Sequence, residues 1–149
     1  MKISILGYGK MGKEIEKIAI EHGHEIITKI DNAEDWNNNI SLFKNSDIAI
    51  EFSTPKTAVS NIYKCFENNI PVVVGTTGWH DNFQEIKNYI IKNNKALFYA
   101  SNFSIGVNIF FKINNILAKI MNNHNEYNIK IQETHHIHKL DAPSSTAIT

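Results

Sequence analysis

The stretch Glu133-Thr-His-His-Ile-His-Lys-Leu-Asp-Ala-Pro-Ser-Ser-Thr-Ala-Ile-Thr149 places three of the chain's seven histidines within four positions and a lysine directly after them. Imidazole and ammonium groups this close can hold, donate or accept protons near neutral pH. Downstream, Pro143-Ser-Ser-Thr146 reads as a helix start that Ser144 or Ser145 can N-cap. The N–H groups of Ser145 and Thr146, with the hydroxyls, would then make a carboxylate site. Three chemistries compete for these residues. His135 or Lys139 acts as a general acid while the rest binds an anionic substrate. His136 and His138, with Asp141, hold a metal. Or the histidines are surface groups of a strand and loop. No cysteine or further histidine stands nearby to complete a metal set, so no metal is expected. The clustering with Lys139 and a helix cap favours the first chemistry.

The other end carries a second signature. Gly7-Tyr-Gly-Lys-Met-Gly12 fits G-x-G-x-x-G, follows an apolar strand, opens a helix and has an acid, Asp31, at the end of the next strand. Gly7 permits the tight turn, Gly9 lets the backbone approach a pyrophosphate, and Gly12 lets the helix pack on the strand. Helix N-terminal N–H groups then meet the phosphates. Asp31 would accept hydrogen bonds from the adenosine ribose hydroxyls, which favours NADH. Lys10 and Lys29 are the nearest groups able to offset the repulsion of a 2′-phosphate, so the expected cofactor is NADH or NADPH. Ligands of open α/β sheets lie at the carboxyl ends of the strands. The segments there are Gly7, Tyr8, Gly9, Lys10, Met11 and Gly12; Asp31; Phe52 and Ser53; Gly75, Thr76 and Thr77; and Ala100, Ser101, Asn102 and Phe103.

Elements must position these groups. Lys2–Leu6, Glu25–Ile30, Asp47–Phe52, Pro71–Val74 and Ala96–Tyr99 read as strands, and the fourth is apolar enough for a sheet covered on both faces. Helices are expected from Lys10 to Glu21, from Pro55 to about Asn68, and from Asp81 with Phe83, Ile86, Tyr89 and Ile90 facing inward. Residues 32–46 read as a polar loop with a short helix around Ile40–Phe43. This alternation implies an α/β fold, a Rossmann-type doubly wound parallel sheet with right-handed crossovers. After Ser101 the pattern changes. Ser104–Met121 reads as a long apolar helix and Tyr127–His136 as a strand, with Glu133 and His135 on the face of Ile129 and Ile131. A dinucleotide-binding domain at 1–101 is therefore expected, followed at 102–149 by an incomplete α+β substrate domain from a longer protein.

Bulk composition narrows the classes. The 149 residues carry 15 cations and 15 anions, and every cation is lysine, since the chain has no arginine. Near-zero net charge does not suggest a nucleic-acid surface, and no apolar run reaches transmembrane length. Anion contacts fall to Lys, His, hydroxyls and backbone N–H groups. The single Cys65 excludes an intrachain disulfide and is expected to pack a helix. With no signal-peptide pattern, a cytoplasmic location is expected.

Five segments in order resemble the dihydrodipicolinate reductase family: Gly7-Tyr-Gly-Lys-Met-Gly12, Glu51-Phe-Ser-Thr-Pro55, Val74-Gly-Thr-Thr-Gly78, Ser101-Asn-Phe-Ser-Ile-Gly-Val-Asn108 and Glu133 to Ala147. The resemblance implies reduction of 4-hydroxy-tetrahydrodipicolinate, a small cyclic dicarboxylate, by NAD(P)H in diaminopimelate and lysine biosynthesis. It implies His135 as proton donor, Lys139 as its catalytic partner, His136 as a substrate contact, and Ser144, Ser145 and Thr146 as the carboxylate-binding turn. Gly75–Thr77 and Ala100–Phe103 match segments that hold the nicotinamide half. A homo-oligomer, a tetramer, is implied for a full-length form. The chain departs from the family at Ser145, where glycine is common, and in a glycine loop one residue shorter than in many relatives, with Lys10 in place of arginine. The alternative is a nucleotide-binding module without turnover.

Overall fold

The computed structural model describes residues 1–135, 137 and 142–148, with Ser145 described by its backbone only. It divides into two compact units, Met1–Ala100 and Ser101–Thr149.

In the first unit the elements run β1 (Lys2–Leu6), α1 (Lys10–Glu21), β2 (Glu25–Ile30), α2 (Ala33–Phe43), β3 (Ile48–Glu51), α3 (Pro55–Glu67), β4 (Val72–Val74), a 3₁₀ turn (His80–Asn82), α4 (Phe83–Asn93) and β5 (Leu97–Tyr99). All strands pair in parallel in the order β2-β1-β3-β4-β5. This is the doubly wound sheet expected from the strand–helix alternation. The order reverses beside β1, and the crevice between the carboxyl ends of β1 and β3 is where such sheets bind ligands.

Strand alternation sorts the core. Ile3 and Ile5 point to one face and pack with Ala19 of α1, joined by Ile15, Ile26, Ile48 and Ile50. Leu6, Ala49, Val72 and Val74 point to the other, against Trp36 and Phe43 of α2, Ala58, Ile62 and Phe66 of α3, and Ile86 of α4. Cys65 is fully buried in α3, as a packing residue should be. The expectation that β4 is covered on both faces is not met within the described residues. Val73 is only half-buried and Phe98 of β5 is exposed.

Two further expectations need correction. Within 32–46, residues Ala33–Phe43 form a three-turn helix, where a polar loop with only a short helix around Ile40–Phe43 was expected. Asn32 caps it by accepting from the Asp35 N–H at 2.9 Å, Glu34 and Asp35 sit in the first turn, and Trp36 and Phe43 are buried. Caps and first-turn acids favour a helix whatever the asparagine content of its outer face. Phe83, expected to face inward, is exposed, although its ring lies 5.7 Å from that of Trp79.

The second unit contains α5 (Ile105–Met121) and a short α6 (Ser145–Ile148). Asn102 folds the entry to α5. Its Oδ1 accepts from the Ser104 N–H at 2.8 Å, and its carbonyl accepts from Asn108 Nδ2 at 2.9 Å. Ser104 caps the helix through the Val107 N–H. α5 buries none of its residues, and Ile109, Phe110, Ile113 and Leu117 are all exposed. The strand expected over Tyr127–His136 is not formed at 127–135, and His136 lies outside the described residues. Alternation alone does not make a strand. It needs a neighbour's N–H and C=O groups, and no second strand is present among the described residues of this unit.

Candidate functional site

The glycine loop is built by contact as much as by turn geometry. Gly7 has φ +90, and a Cβ there would overlap the Phe52 carbonyl. Its N–H donates to the Ile30 carbonyl at 2.7 Å, which fixes the loop over β2. A Cβ on Gly12 would run into the Gly7 carbonyl, so α1 approaches the loop closely only because Gly12 has no side chain. Gly9 differs: a Cβ there would meet no atom of the described residues within 4 Å. Space lies in front of it. It is also the N-cap of α1, and no side chain caps that helix or places an acid in its first turn. Open N–H groups with open space before them make an anion site. Lys10 and Met11, the remaining loop residues, are exposed on the first turn.

Asp31 closes the same corner. Its Oδ1 accepts from the Tyr8 N–H at 2.7 Å, and its own N–H donates to Asp35 Oδ2 at 2.8 Å. The carboxylate is thus anchored between the glycine loop and the start of α2. Lys29 is engaged elsewhere: its Nζ lies 3.1 Å from Glu16 Oε1 and 4.9 Å from the centroid of the Tyr8 ring. The Tyr8 hydroxyl also donates to Glu16. These contacts hold the Glu16 carboxyl below its ordinary value, the Tyr8 hydroxyl first and the Lys29 charge with it. The phenol and the ammonium are both raised, chiefly by their bonds to Glu16.

Gly7, Asp31 and Ser53 line one cleft of about 320 Å³. Its remaining wall includes residues not predicted from the sequence, among them Trp36 of α2 and Lys56, Asn61 and Lys64 of α3. Lys64 Nζ stands 4.6 Å from the Trp36 ring centroid, a cation–π distance. One signal for this wall was present in the sequence. Asn61 falls within the apolar stripe Ala58, Ile62, Cys65 of α3, and a polar residue on a buried stripe needs a partner. It has three. Its Oδ1 accepts from Trp36 Nε1 at 3.0 Å, and its Nδ2 donates to Glu51 Oε1 and to the Ser53 hydroxyl, each at 3.3 Å.

The remaining predicted groups of this unit share the sheet edge without lining the cleft. The Phe52 ring fills the space a Cβ on Gly75 would need, and the Gly75 N–H donates to the Glu51 carbonyl at 2.9 Å. Thr76 is buried and its carbonyl accepts from Trp79 Nε1 at 2.7 Å. Thr77 follows half-buried, and the Ala100 N–H donates to the Val74 carbonyl at 3.3 Å. Ser101, Asn102 and Phe103 begin the second unit.

In the second unit, Glu133 gathers the described polar groups. Its Oε2 lies 2.8 Å from His135 Nε2, and its Oε1 accepts from the Ser144 N–H at 2.9 Å. The Ser144 hydroxyl donates to the same carboxylate and accepts from the Ala147 N–H at 3.1 Å, so Ser144 is the cap of α6. Bonds from His135 and then Ser144 pull the Glu133 carboxyl down to about 2. Ser144, expected as a substrate contact, is buried and spends both donors on Glu133. Thr146 is exposed on α6. His136, His138, Lys139 and Asp141 lie outside the described residues. Among the described residues no three His, Cys, Asp or Glu side chains converge as a metal site, and no helix is long and apolar enough to cross a membrane.

Comparison with known proteins gives the family of the chain. The sequence model described as dihydrodipicolinate reductase, N-terminus, matches residues 1–103, and that for the C-terminus matches residues 106–149. The chain is 47% identical over 149 residues to 4-hydroxy-tetrahydrodipicolinate reductase of Christiangramia forsetii, covering 100% of this chain and 62% of that protein. It is 35% identical over 108 residues to the protein of the same name from Neisseria meningitidis serogroup B, covering 72% of this chain and 39% of that one. A solved structure of dipicolinate-bound dihydrodipicolinate reductase from Paenisporosarcina sp. TG-14 superposes with a TM-score of 0.69 at 24% identity, over 99% of this chain and 63% of that one. That likeness shows a shared fold. The chain therefore belongs to the dihydrodipicolinate reductase family and spans 62% of the length of the Christiangramia forsetii relative.

Proposed function

We propose that this family member serves NAD(P)H-dependent reduction of 4-hydroxy-tetrahydrodipicolinate to tetrahydrodipicolinate, in the cytoplasm, on the route to diaminopimelate and lysine. The observation that carries the reading is the Tyr8 N–H bond to Asp31, which joins the glycine loop, with its α1 N-terminus lacking a side-chain cap among the described residues and open space before Gly9, to the cleft lined by Gly7, Asp31 and Ser53. The nicotinamide cofactor, when bound, supplies the hydride. Residues of the chain do the rest. The N–H groups at the start of α1 take the pyrophosphate. Asp31 accepts from the adenosine ribose hydroxyls. Lys56 and Lys64 add positive charge to the cleft and join Lys10 of the glycine loop in the role first expected of Lys10 and Lys29. NADH then binds at least as well as NADPH, with both accepted. Phe52, Ser53, Gly75, Thr76, Thr77, Ala100, Ser101, Asn102 and Phe103 complete the cofactor-binding set.

In the second unit, His135 donates the proton that completes the reduction, and Lys139 assists. Glu133, anionic through the neutral range, turns the His135 ring by its bond to Nε2. His136 and the Ser144–Thr146 turn hold the dicarboxylate, with the Ser145 and Thr146 N–H groups as donors. The full-length form is a homotetramer. A second reading, a nucleotide-binding module without turnover, draws on two observations: α5 buries none of its residues, and the segment at 127–135 has no strand partner among the described residues. Calorimetry of the chain with NADH tests the nucleotide site. NADH oxidation on adding 4-hydroxy-tetrahydrodipicolinate separates the readings: turnover supports the reductase, while binding without oxidation supports the module.

A further inference from the structure

Glu51 ends β3 with its side chain on the α2–α3 face of the sheet, and it is fully buried. One carboxylate oxygen does all the described bonding. Oε1 accepts from the Ser53 N–H at 3.2 Å, from the Ser53 hydroxyl and from Asn61 Nδ2 at 3.3 Å. Oε2 is buried with no hydrogen-bond partner among the described residues. A well-packed apolar side chain would avoid the cost of burying such a group. The use of the carboxylate must therefore be sought at Oε1, and its partners all lead to one place.

Ser53 lines the nucleotide cleft, and its hydroxyl also meets Thr57 Oγ1 at 2.9 Å. Asn61 lines it too and passes the chain of bonds to Trp36 Nε1. Trp36, Ser53 and Asn61 come from α2, from the turn after β3 and from α3. Three walls of the cleft are thus tied to one buried acid that does not itself line the cleft.

We infer that Glu51 is a positioning residue for the adenosine half of the cofactor, setting the Ser53 turn and the Asn61–Trp36 pair in the geometry that binds it. The inference rests on the cofactor reading above. It predicts a division between stability and binding. Glu51→Met keeps the volume, removes the buried carboxyl together with its unpartnered Oε2, and leaves the chain folded. It also releases Ser53 and Asn61. Affinity for ADP-ribose then falls by about tenfold, the scale of one lost buried hydrogen bond. Glu51→Gln retains an acceptor oxygen for the same donors and brings the loss back to about threefold.

The test is calorimetric titration of ADP-ribose into the unsubstituted chain and both variants, with melting curves and far-ultraviolet circular dichroism for each. Weaker binding by a folded Glu51→Met chain, partly restored by Glu51→Gln, supports the inference. A folded Glu51→Met chain within twofold of the unsubstituted affinity overturns it. If Glu51→Met does not fold, Glu51→Gln decides: a measurable loss of affinity supports the positioning role, and an unchanged affinity assigns Glu51 to folding alone. No binding by the unsubstituted chain overturns the cofactor reading itself and this inference with it.

Discussion

The backbone N–H of Tyr8 donates to Asp31 Oδ1 at 2.7 Å, so the middle of the glycine loop and the acid proposed to bind the ribose are one bonded unit. The acid is placed by the loop it must work beside, and the loop is held open by the acid. Asp31→Ser removes both the ribose acceptor and this tie. NADH affinity is expected to fall by about tenfold, and NADPH affinity by less, because a repulsion disappears with the acceptor. Fluorescence titration with each nucleotide checks the ratio; an unchanged ratio would remove Asp31 from the selectivity argument.

The glycines separate stability from binding. Gly7→Ala forces a left-handed residue to carry a Cβ against the Phe52 carbonyl, and strain plus overpacking is expected to cost about 2–4 kcal/mol. The Cβ of Gly9→Ala meets no atom of the described residues within 4 Å, so stability should move by less than about 0.5 kcal/mol. Its methyl group enters the space assigned to the pyrophosphate, so nucleotide binding is lost. Urea melts and calorimetry on the same two variants read both effects. A stable Gly7→Ala chain, or a Gly9→Ala chain with full affinity, contradicts the account.

Acid should release the second unit's clasp late. The Glu133 carboxyl sits at about 2 rather than the ordinary 4.5, through His135 first and then Ser144. A depressed folded value means that the stabilisation is complete above pH 4.5 and disappears as pH falls toward 2. Carbon-detected NMR of the Glu133 carboxyl should show this low midpoint, and Ser144→Ala should raise it. A midpoint near 4.5 in the unsubstituted chain means that the clasp does not form.

The proton transfer proposed for His135 has its own signature. In a full-length form, His135→Gln is expected to lower turnover by about 10²-fold or more while nicotinamide-nucleotide affinity stays within a few fold. Equal losses in steady-state rate and in binding would place His135 outside the chemistry.

Cys65 should be silent in the native protein. Burial, with the Glu51 charge second, pushes its thiol well above the ordinary range, and its side chain has no exposure. A thiol reagent should react only after addition of denaturant; rapid native labelling would show that α3 opens locally.

Most of the first unit was legible because its elements announce themselves. β-branched runs alternate with amphipathic helices, and Gly7, Asp31 and Ser53 sit at strand ends that any parallel sheet gathers on one edge. What escaped had a different origin. α2 was hidden by the asparagines of its solvent face, although Asn32 and Asp35 already spelled its cap. Lys56, Asn61 and Lys64 lie one to three turns into α3, and only the packing of α3 beside the β2–α2 corner makes them cleft residues. Periodicity does not report that neighbourhood. The segment at 127–135 erred in the opposite sense: its alternation is correct for a strand, but pairing is a property of two segments, and one was read alone.

Phe52 has its carbonyl against Gly7 and its ring against Gly75. The two glycine turns, far apart in sequence, therefore share a single spacer and have no independent freedom to drift. A substitution that moves one must be felt at the other, and a mutational map of either turn would be incomplete without the phenylalanine between them. Under the proposed cofactor reading, affinity and nicotinamide placement, usually tuned as separate properties, are geared to the same residue.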